Sequence, residues 1–282
     1  MHRALSTYLY VNNRLTTAWL DRIANAGIRA VEIYAAPQHL DYHHRGQIHE
    51  LRHWFRDSEL KLHSLHAPIF SDDVWGRSGP NAVVDISELT KARRIKAVDE
   101  VKRVLEIAES IPYRYLIQHI GAAGAEYDER KVDSTFSSLE ELSVFASHRG
   151  VEVLIENTAN ELSSADRLLL FFEMTHLEMN ICFDTGHANL RGSLENEFRL
   201  LKKRIRSTHV HDNDGKEDAH LFPGLGPAGT IDWKQYMNLH GTLLSEVLVL
   251  LELREVPDLA QPLDAVNQVF DRLEEMAAQN ER

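Results

Sequence analysis

"NICFDTGHANL", residues 180–190, ends an apolar run on an acid and places a histidine three residues beyond it. Asn180, Ile181, Cys182 and Phe183 read as a short buried strand, and Thr185 and Gly186 as the loop leaving it, so Asp184 stands at the strand's C-terminal end. A carboxylate and an imidazole presented together at such a point suit a metal ion or a proton transfer. Asp-x-x-His is common by chance, and its meaning rests on what the neighbouring strands bring to the same place.

Working outward, the chain repeats a strand-then-helix phrase from end to end. Strand patterns fall at 4–10, 30–34, 61–67, 115–120, 151–156, 180–184, 207–211 and 247–253. Amphipathic helical patterns fall at 16–26, 47–58, 90–110, 133–149, 163–175, 193–204, 232–244 and 262–278. Gly27 and Gly150 stand between a helix and the next strand, as C-cap glycines do, and Ser163 and Ser193 are placed as N-caps. Eight such units in 282 residues predict an α/β chain folded as a single (β/α)8 TIM barrel, a fold of about 250 residues; a doubly wound sheet is the alternative. No Pro/Gly/Ser-rich linker divides the chain, so residues 1–282 are read as one domain. The stretches 68–88 and 212–231 are long for βα turns, and long loops after strands are where a barrel builds its site.

Composition narrows the chemistry. Lys and Arg number 31 against 43 Asp and Glu, a formal charge of -12 with no basic run, which opposes capture of a phosphate backbone and makes nucleic acid a disfavoured partner. Cys182 is the only cysteine, so neither an intrachain disulfide nor a CxxC zinc site can form, and its place inside an apolar strand marks it as core. The segment "MHRALSTYLYVNN" lacks the apolar stretch of a signal peptide, and no run approaches the ~18 apolar residues of a membrane span. A cytoplasmic protein with no membrane partner is expected.

The polar residues gather on the strand map. His66 closes the third strand, His119 the fourth, Glu156 the fifth, Asp184 the sixth, His211 the seventh and Glu252 the eighth, with His187 following Asp184. Six successive strands thus end in a metal-capable or acid/base residue at the face where barrel active sites lie. Asp218 and His220 in the loop after strand seven add two further donors, and all the donors are oxygen or nitrogen. Glu156 and Glu252 end runs too apolar to hold an unpaired carboxylate. His63, three residues from His66, is expected on the opposite face of its strand, and His209 one step deeper than His211, in a supporting role. Histidines 2, 43, 44, 49, 53, 148 and 176 lie in loops or helices and read as surface or core residues. "GLGPAG", residues 224–229, satisfies G-x-G-x-x-G but follows a polar loop rather than a strand, which argues against dinucleotide binding.

With "SLHAP", "QHIG", "LIENT", "FDTGHANL", "HVHDNDGKEDAHLFPGLG" and "LLEL" in this order, the sequence resembles the xylose isomerase-like TIM-barrel superfamily over almost its whole length. That superfamily holds sugar isomerases and epimerases together with the endonuclease IV family. Resemblance to the epimerase branch implies one divalent ion, Mn²⁺, Zn²⁺, Co²⁺ or Mg²⁺, held by Glu156, Asp184, His211 and Glu252. It also implies that the two glutamates act as the acid/base pair and that His187 binds substrate. The endonuclease branch uses nine ligands for three zinc ions, and His66, His119, Glu156, Asp184, His187, His211, Asp218, His220 and Glu252 are their counterparts here. The family's Gly-Glu-Gly appears here as "GLGPAG", with Leu225 in place of the acid, a departure in the substrate-binding loop.

The expected function is therefore a metal-dependent isomerase or epimerase of a ketose or sugar phosphate, acting through an enediolate. His66 and His187 would contact the substrate, and "VWGRSGP" would form either a lid, with Trp75 on a sugar's apolar face and Arg77 on a phosphate, or a subunit contact. The alternatives are a multi-zinc phosphodiester hydrolase, a keto-polyol dehydratase using the same proton abstraction, and a sugar-binding barrel without catalysis. Loop aromatics are read as a self-association surface, giving a homodimer.

Overall fold

The computed structural model describes residues 1–257 and 259–279. Its eight parallel strands are β1 (Arg3–Ser6), β2 (Ala30–Tyr34), β3 (Lys61–His66), β4 (Tyr115–Gln118), β5 (Glu152–Glu156), β6 (Asn180–Asp184), β7 (Ile205–His209) and β8 (Val249–Leu251). Neighbours in sequence are neighbours in the sheet, with β8 returning to pair with β1. A parallel bridge between Val210 and Leu251, with Val210 N–H donating to the Leu250 carbonyl at 2.8 Å, draws β7 to β8 and closes the ring. This is the single (β/α)8 barrel expected, and the doubly wound alternative is excluded.

The helices are α1 (Thr17–Asn25), α2 (Arg45–Asp57), α3 (Lys91–Leu105), α4 (Glu129–Ser147), α5 (Ala165–Thr175), α6 (Thr185–Leu190), α7 (Leu194–Leu201), α8 (Trp233–His240) and α9 (Pro262–Ala278). Gly27 and Gly150 take φ of 85° and 71° after α1 and α4, the left-handed turn that only glycine enters without strain. Ser193 caps α7 by accepting from Asn196 N–H, whereas α5 starts after Ser164, one residue later than the sequence pattern placed it. Among the described residues, no helix is long and apolar enough to cross a membrane.

Alternation along each strand sorts side chains into two cores. Val31, Ile33, Leu65, Leu116, Val153, Ile155, Ile181 and Phe183 face the helices and join the large outer core. Tyr115, Ile117, Leu154 and Cys182 form a separate cluster. They alternate with the outward residues and so fill the barrel, with Glu156 and Asp184 one pleat above Leu154 and Cys182. Cys182 is fully buried, and burial pushes its thiol up to about 12, in line with a core role.

Several boundaries differ from the sequence pattern. The first strand stops at Ser6, where the Ser6 side chain accepts from Tyr8 N–H and turns the chain into a 3₁₀ segment, Thr7–Tyr10. β4, β7 and β8 also stop early, so His119 and Glu252 lie one residue past their strands and His211 two past. Thr185 and Gly186 are not a loop: Asp184 accepts from His187 N–H and starts α6 directly at the end of β6. Opposite β2, the register jumps from Val31–Leu62 to Glu32–Ser64. This irregularity at His63 breaks the alternation, and His63 packs on Tyr115 and lies 3.4 Å from Ser207 Oγ of β7, across the barrel. The parity argument that put His63 outside the barrel fails for that reason.

Candidate metal centre

The C-terminal mouth of the barrel gathers the expected residues. Glu156, fully buried at the end of β5, has Oε2 at 3.0 Å from His119 Nε2, 3.4 Å from His66 Nε2 and 3.3 Å from His209 Nδ1, while Oε1 is 3.2 Å from His187 Nδ1. Burial alone would raise its carboxyl, but the imidazoles of His209 and His119 outweigh burial and hold it well below the usual range. Asp184 accepts from His187 N–H at 2.6 Å through Oδ1 and meets His211 Nε2 at 3.0 Å through Oδ2. Burial opposes its charge, and His187 and His211 win, lowering it. Asn157 locks the two strand ends together: its side chain donates to the Asp184 carbonyl at 3.0 Å and accepts from Asp184 N–H at 2.8 Å.

Glu252 behaves in the opposite way. It is 2% exposed, its Oε2 is 3.4 Å from His209 Nδ1, and burial together with the charges of Glu156, Glu32 and Asp184 raises its carboxyl well above the usual range. Two glutamates around one imidazole are thus shifted in opposite directions.

The loop after β7 builds the outer wall. Asp218 Oδ2 lies 3.2 Å from both His187 Nε2 and His220 Nε2, and His220 stacks on His211 with ring centroids 3.9 Å apart. Although burial opposes it, the pull of His220 and His187 holds the Asp218 carboxyl far below the usual range. For His187, burial is likewise outweighed by Asp184, Asp218 and Glu156, which push it well above the usual imidazole value. Gly186 lies flat against His211: an added Cβ would stand 2.0 Å from the imidazole. Asp212, which the sequence reading passed over, ties the far end of this loop by accepting from Thr230 N–H at 3.0 Å and Trp233 Nε1 at 2.6 Å. "GLGPAG" lies between these anchors, in the long loop from β7 to α8 and more than a dozen residues past the strand's end, not at a strand-to-helix turn.

His66 and Trp75 join the opposite wall. Tyr34 stacks on His66 at 4.2 Å, and Trp75 packs against Tyr34 at 5.5 Å and Tyr8 at 5.9 Å. Tyr8 in turn meets His220 at 4.7 Å, so an aromatic arc spans the mouth from the loop after β3 to the loop after β7. Arg77 is exposed on the Trp75 loop.

His209 and Glu32 stand out from the expectation. His209 Nδ1, with Glu156, Asp184 and Glu252, forms a group whose ligand atoms all lie within 4.8 Å of one another; His211 falls outside that group and sits instead with Asp218 and His220. His66, His119 and Glu156 form a third group. Beneath His209, its Nε2 lies 3.1 Å from the carboxylate of Glu32, which also accepts from Ser64 Oγ at 2.8 Å. Glu32 is fully buried, and its signal in the sequence is the single acid in "AVEIY", with Val31 and Ile33 facing out on either side of it.

The donor set fits a divalent ion. Buried Glu156 Oε1, His209 Nδ1 and Asp218 Oδ1 lack hydrogen-bond partners, which buried polar atoms rarely do. The upward shift of Glu252 reflects, besides burial, a concentration of negative charge that a cation would offset. Oxygen and imidazole donors suit Mg²⁺, Mn²⁺, Co²⁺ and Zn²⁺.

Comparison with known proteins agrees with this geometry. Over 196 residues, 67% of this chain and 75% of the relative, the sequence is 26% identical to protein MJ1614 of Methanocaldococcus jannaschii. It is 25% identical to a probable endonuclease 4 of Natronomonas pharaonis, across 51% of this chain and 58% of that protein. Among solved structures, a D-tagatose 3-epimerase-like protein superposes over 100% of both chains with a TM-score of 0.78 and 21% identity. The IOLI protein with a bound zinc atom superposes over 99% of both with a TM-score of 0.74 and 17% identity. The model of the xylose isomerase-like TIM barrel family matches residues 20–275, and the chain belongs to that family.

Proposed function

We propose that the chain is a divalent-metal-dependent epimerase or isomerase of a ketose or sugar phosphate, with Glu156, Asp184, His211 and Glu252 holding the ion. The observation that carries this reading is the arrangement of Glu156 and Glu252, two buried carboxyl groups from β5 and the end of β8 that flank His209 Nδ1 at 3.3 and 3.4 Å. The bound ion supplies Lewis acidity that makes the C–H beside a substrate carbonyl acidic. Glu156 would take that proton and Glu252 would deliver one to the other face of the enediolate, inverting the stereocentre. If a single group serves both steps, the product is the isomer. His187, held by Asp184, Glu156 and Asp218, donates to the oxygen on which charge develops, and the Tyr34, Trp75 and Tyr8 arc excludes water from one face of the sugar. His209, whose Nδ1 lies with Glu156, Asp184 and Glu252 in one group of possible ligand atoms, would be a further donor to the ion, oriented from below by Glu32. The dehydratase reading shares the first step and differs only in the fate of the enediolate.

The zinc-bearing IOLI neighbour and the sugar epimerase neighbours support the choice of ion and substrate class. A multi-zinc phosphodiesterase is the second reading, favoured by the several overlapping donor groups at the mouth and opposed by the charge of -12. Purified without chelator, the protein should carry about one ion per chain and wash solvent deuterium into a ketose. Two or three zinc ions per chain with cleavage of an abasic duplex, and no deuterium exchange, would replace the sugar reading with the hydrolytic one.

A further inference from the structure

The outer helix α2 carries nitrogen donors that the barrel centre does not use. His49 and His53 are one turn apart on one helix face. Their Nε2 atoms lie 2.8 Å apart, and the rings meet edge-on with centroids 4.3 Å apart. Both residues are exposed, and among the described residues each hydrogen-bonds only the other. The stretch "HELRH", residues 49–53, satisfies H-E-x-x-H, the pattern in which two histidines on one helix face hold zinc. Beside it, a groove of about 490 Å³ between α1 and α2 is lined by Asp21, Glu50, His53, Trp54 and Asp57. Trp54 Nε1 donates to Asp21 at 2.8 Å and fixes the two walls. His53 therefore faces a groove that three carboxylates also line.

We propose that His49 and His53 form a second, surface site for a divalent cation of the Zn²⁺, Ni²⁺ or Cu²⁺ class. Two nitrogens that share one tetrahedral or square ion at 2.0–2.1 Å each are roughly 3 Å apart, which is the separation this helix already imposes. The ion replaces the proton between the rings, each neutral imidazole then carrying its hydrogen on Nδ1. Holding both ligands on one rigid element raises affinity about 10²-fold over a lone histidine. Among the described residues no third His, Cys, Asp or Glu completes a group with this pair. Water fills the remaining positions, and the site binds its cation without the cleft that peptide hydrolysis needs.

The test uses the untagged full chain on immobilised Ni²⁺, whose anchored ion reaches an exposed helix but not the buried barrel centre. The wild type should be retained, His49→Ala and His53→Ala should each elute at several-fold lower imidazole, and the exposed His148→Ala should elute with the wild type. Zn²⁺ titration by equilibrium dialysis should show the His49→Ala/His53→Ala double variant binding one ion fewer, with its barrel ion and deuterium exchange unchanged. Variants that elute with the wild type, or equal ion counts in wild type and double variant, overturn the site and leave the barrel reading untouched.

Discussion

The two ends of the same barrel are lined by the same kinds of residue and differ in what surrounds them. At the N-terminal end, a cavity of about 710 Å³ is bordered by Arg29, Lys61, Arg114, Glu59 and Glu246. Its ion pairs are long and wet: Arg29 to Glu59 at 3.5 Å and Arg114 to Glu246 at 3.7 Å, with every side chain more than half exposed. At the C-terminal end, Glu156, Asp184, His209, His211 and Glu252 are sealed from solvent and packed against one another. Water screens the first set, so each pair there contributes little. Removal of water from the second makes every neighbour count, and Glu156 and Glu252 are shifted in opposite directions. Cavity volume therefore does not locate the chemistry in this molecule; burial of facing charges does.

The largest test of that contrast is Glu156→Gln. The substitution keeps shape and removes the base, so deuterium exchange should fall about 10²–10⁴-fold while the fold persists, as judged by circular dichroism. Full exchange in this variant would remove Glu156 from the mechanism.

A buried histidine without a facing carboxylate gives the second test. His39 is fully buried between the Asn13 carbonyl and Thr7 Oγ1, and burial pushes it down to about 4, whereas His187 and His209 are pushed up by the carboxylates around them. Because the folded value lies below the unfolded one near 6.5, the stabilisation from neutral His39 is complete above pH 6.5 and is lost as pH falls toward 4. The loss is about 3 kcal/mol. Urea midpoints between pH 7.5 and 4 should show it in the wild type and a shallower slope in His39→Gln; equal slopes would exclude His39 as the source.

Glu32 sharpens the comparison at the inner edge of the site. As the partner that orients His209 from below, its replacement by Ala should weaken metal binding about 10–100-fold in chelator competition, with Glu32→Gln, which keeps an acceptor oxygen, recovering most of it. The smallest effect belongs to the wet end: Arg114→Ala should change stability by less than about 1 kcal/mol and leave exchange rates alone. A larger loss there would mean that the N-terminal charges are coupled to the core.

Much of the site was legible because a barrel strand delivers its last inward residue to the mouth, and an acid or histidine ending an apolar run is conspicuous. Glu156, Asp184 and Glu252 were visible in this way, whereas the helix start that ties Asp184 to His187 was not, because Thr185 and Gly186 read as a loop. Glu32 was not, since its partner His209 lies 177 residues away and one acid in "AVEIY" looks like a solvent position. Asp212 was missed for a similar reason: in "HDNDG" it reads as one more loop acid, and only the returning backbone at 230–233 reveals its role.

What the sequence determined by itself is the periodic order of eight strands and helices and the identity of the residues at each strand's end, because alternation and capping are local rules. Tertiary structure alone decided the rest. The irregularity at His63 depends on how β2 and β3 slide past each other. The choice of His209 rather than His211 to face three carboxylates depends on where β7 stops and on ring closure through Val210 and Leu251. The direction in which Glu156 and Glu252 shift depends on charges brought in by several different strands, and no local pattern carries that sum.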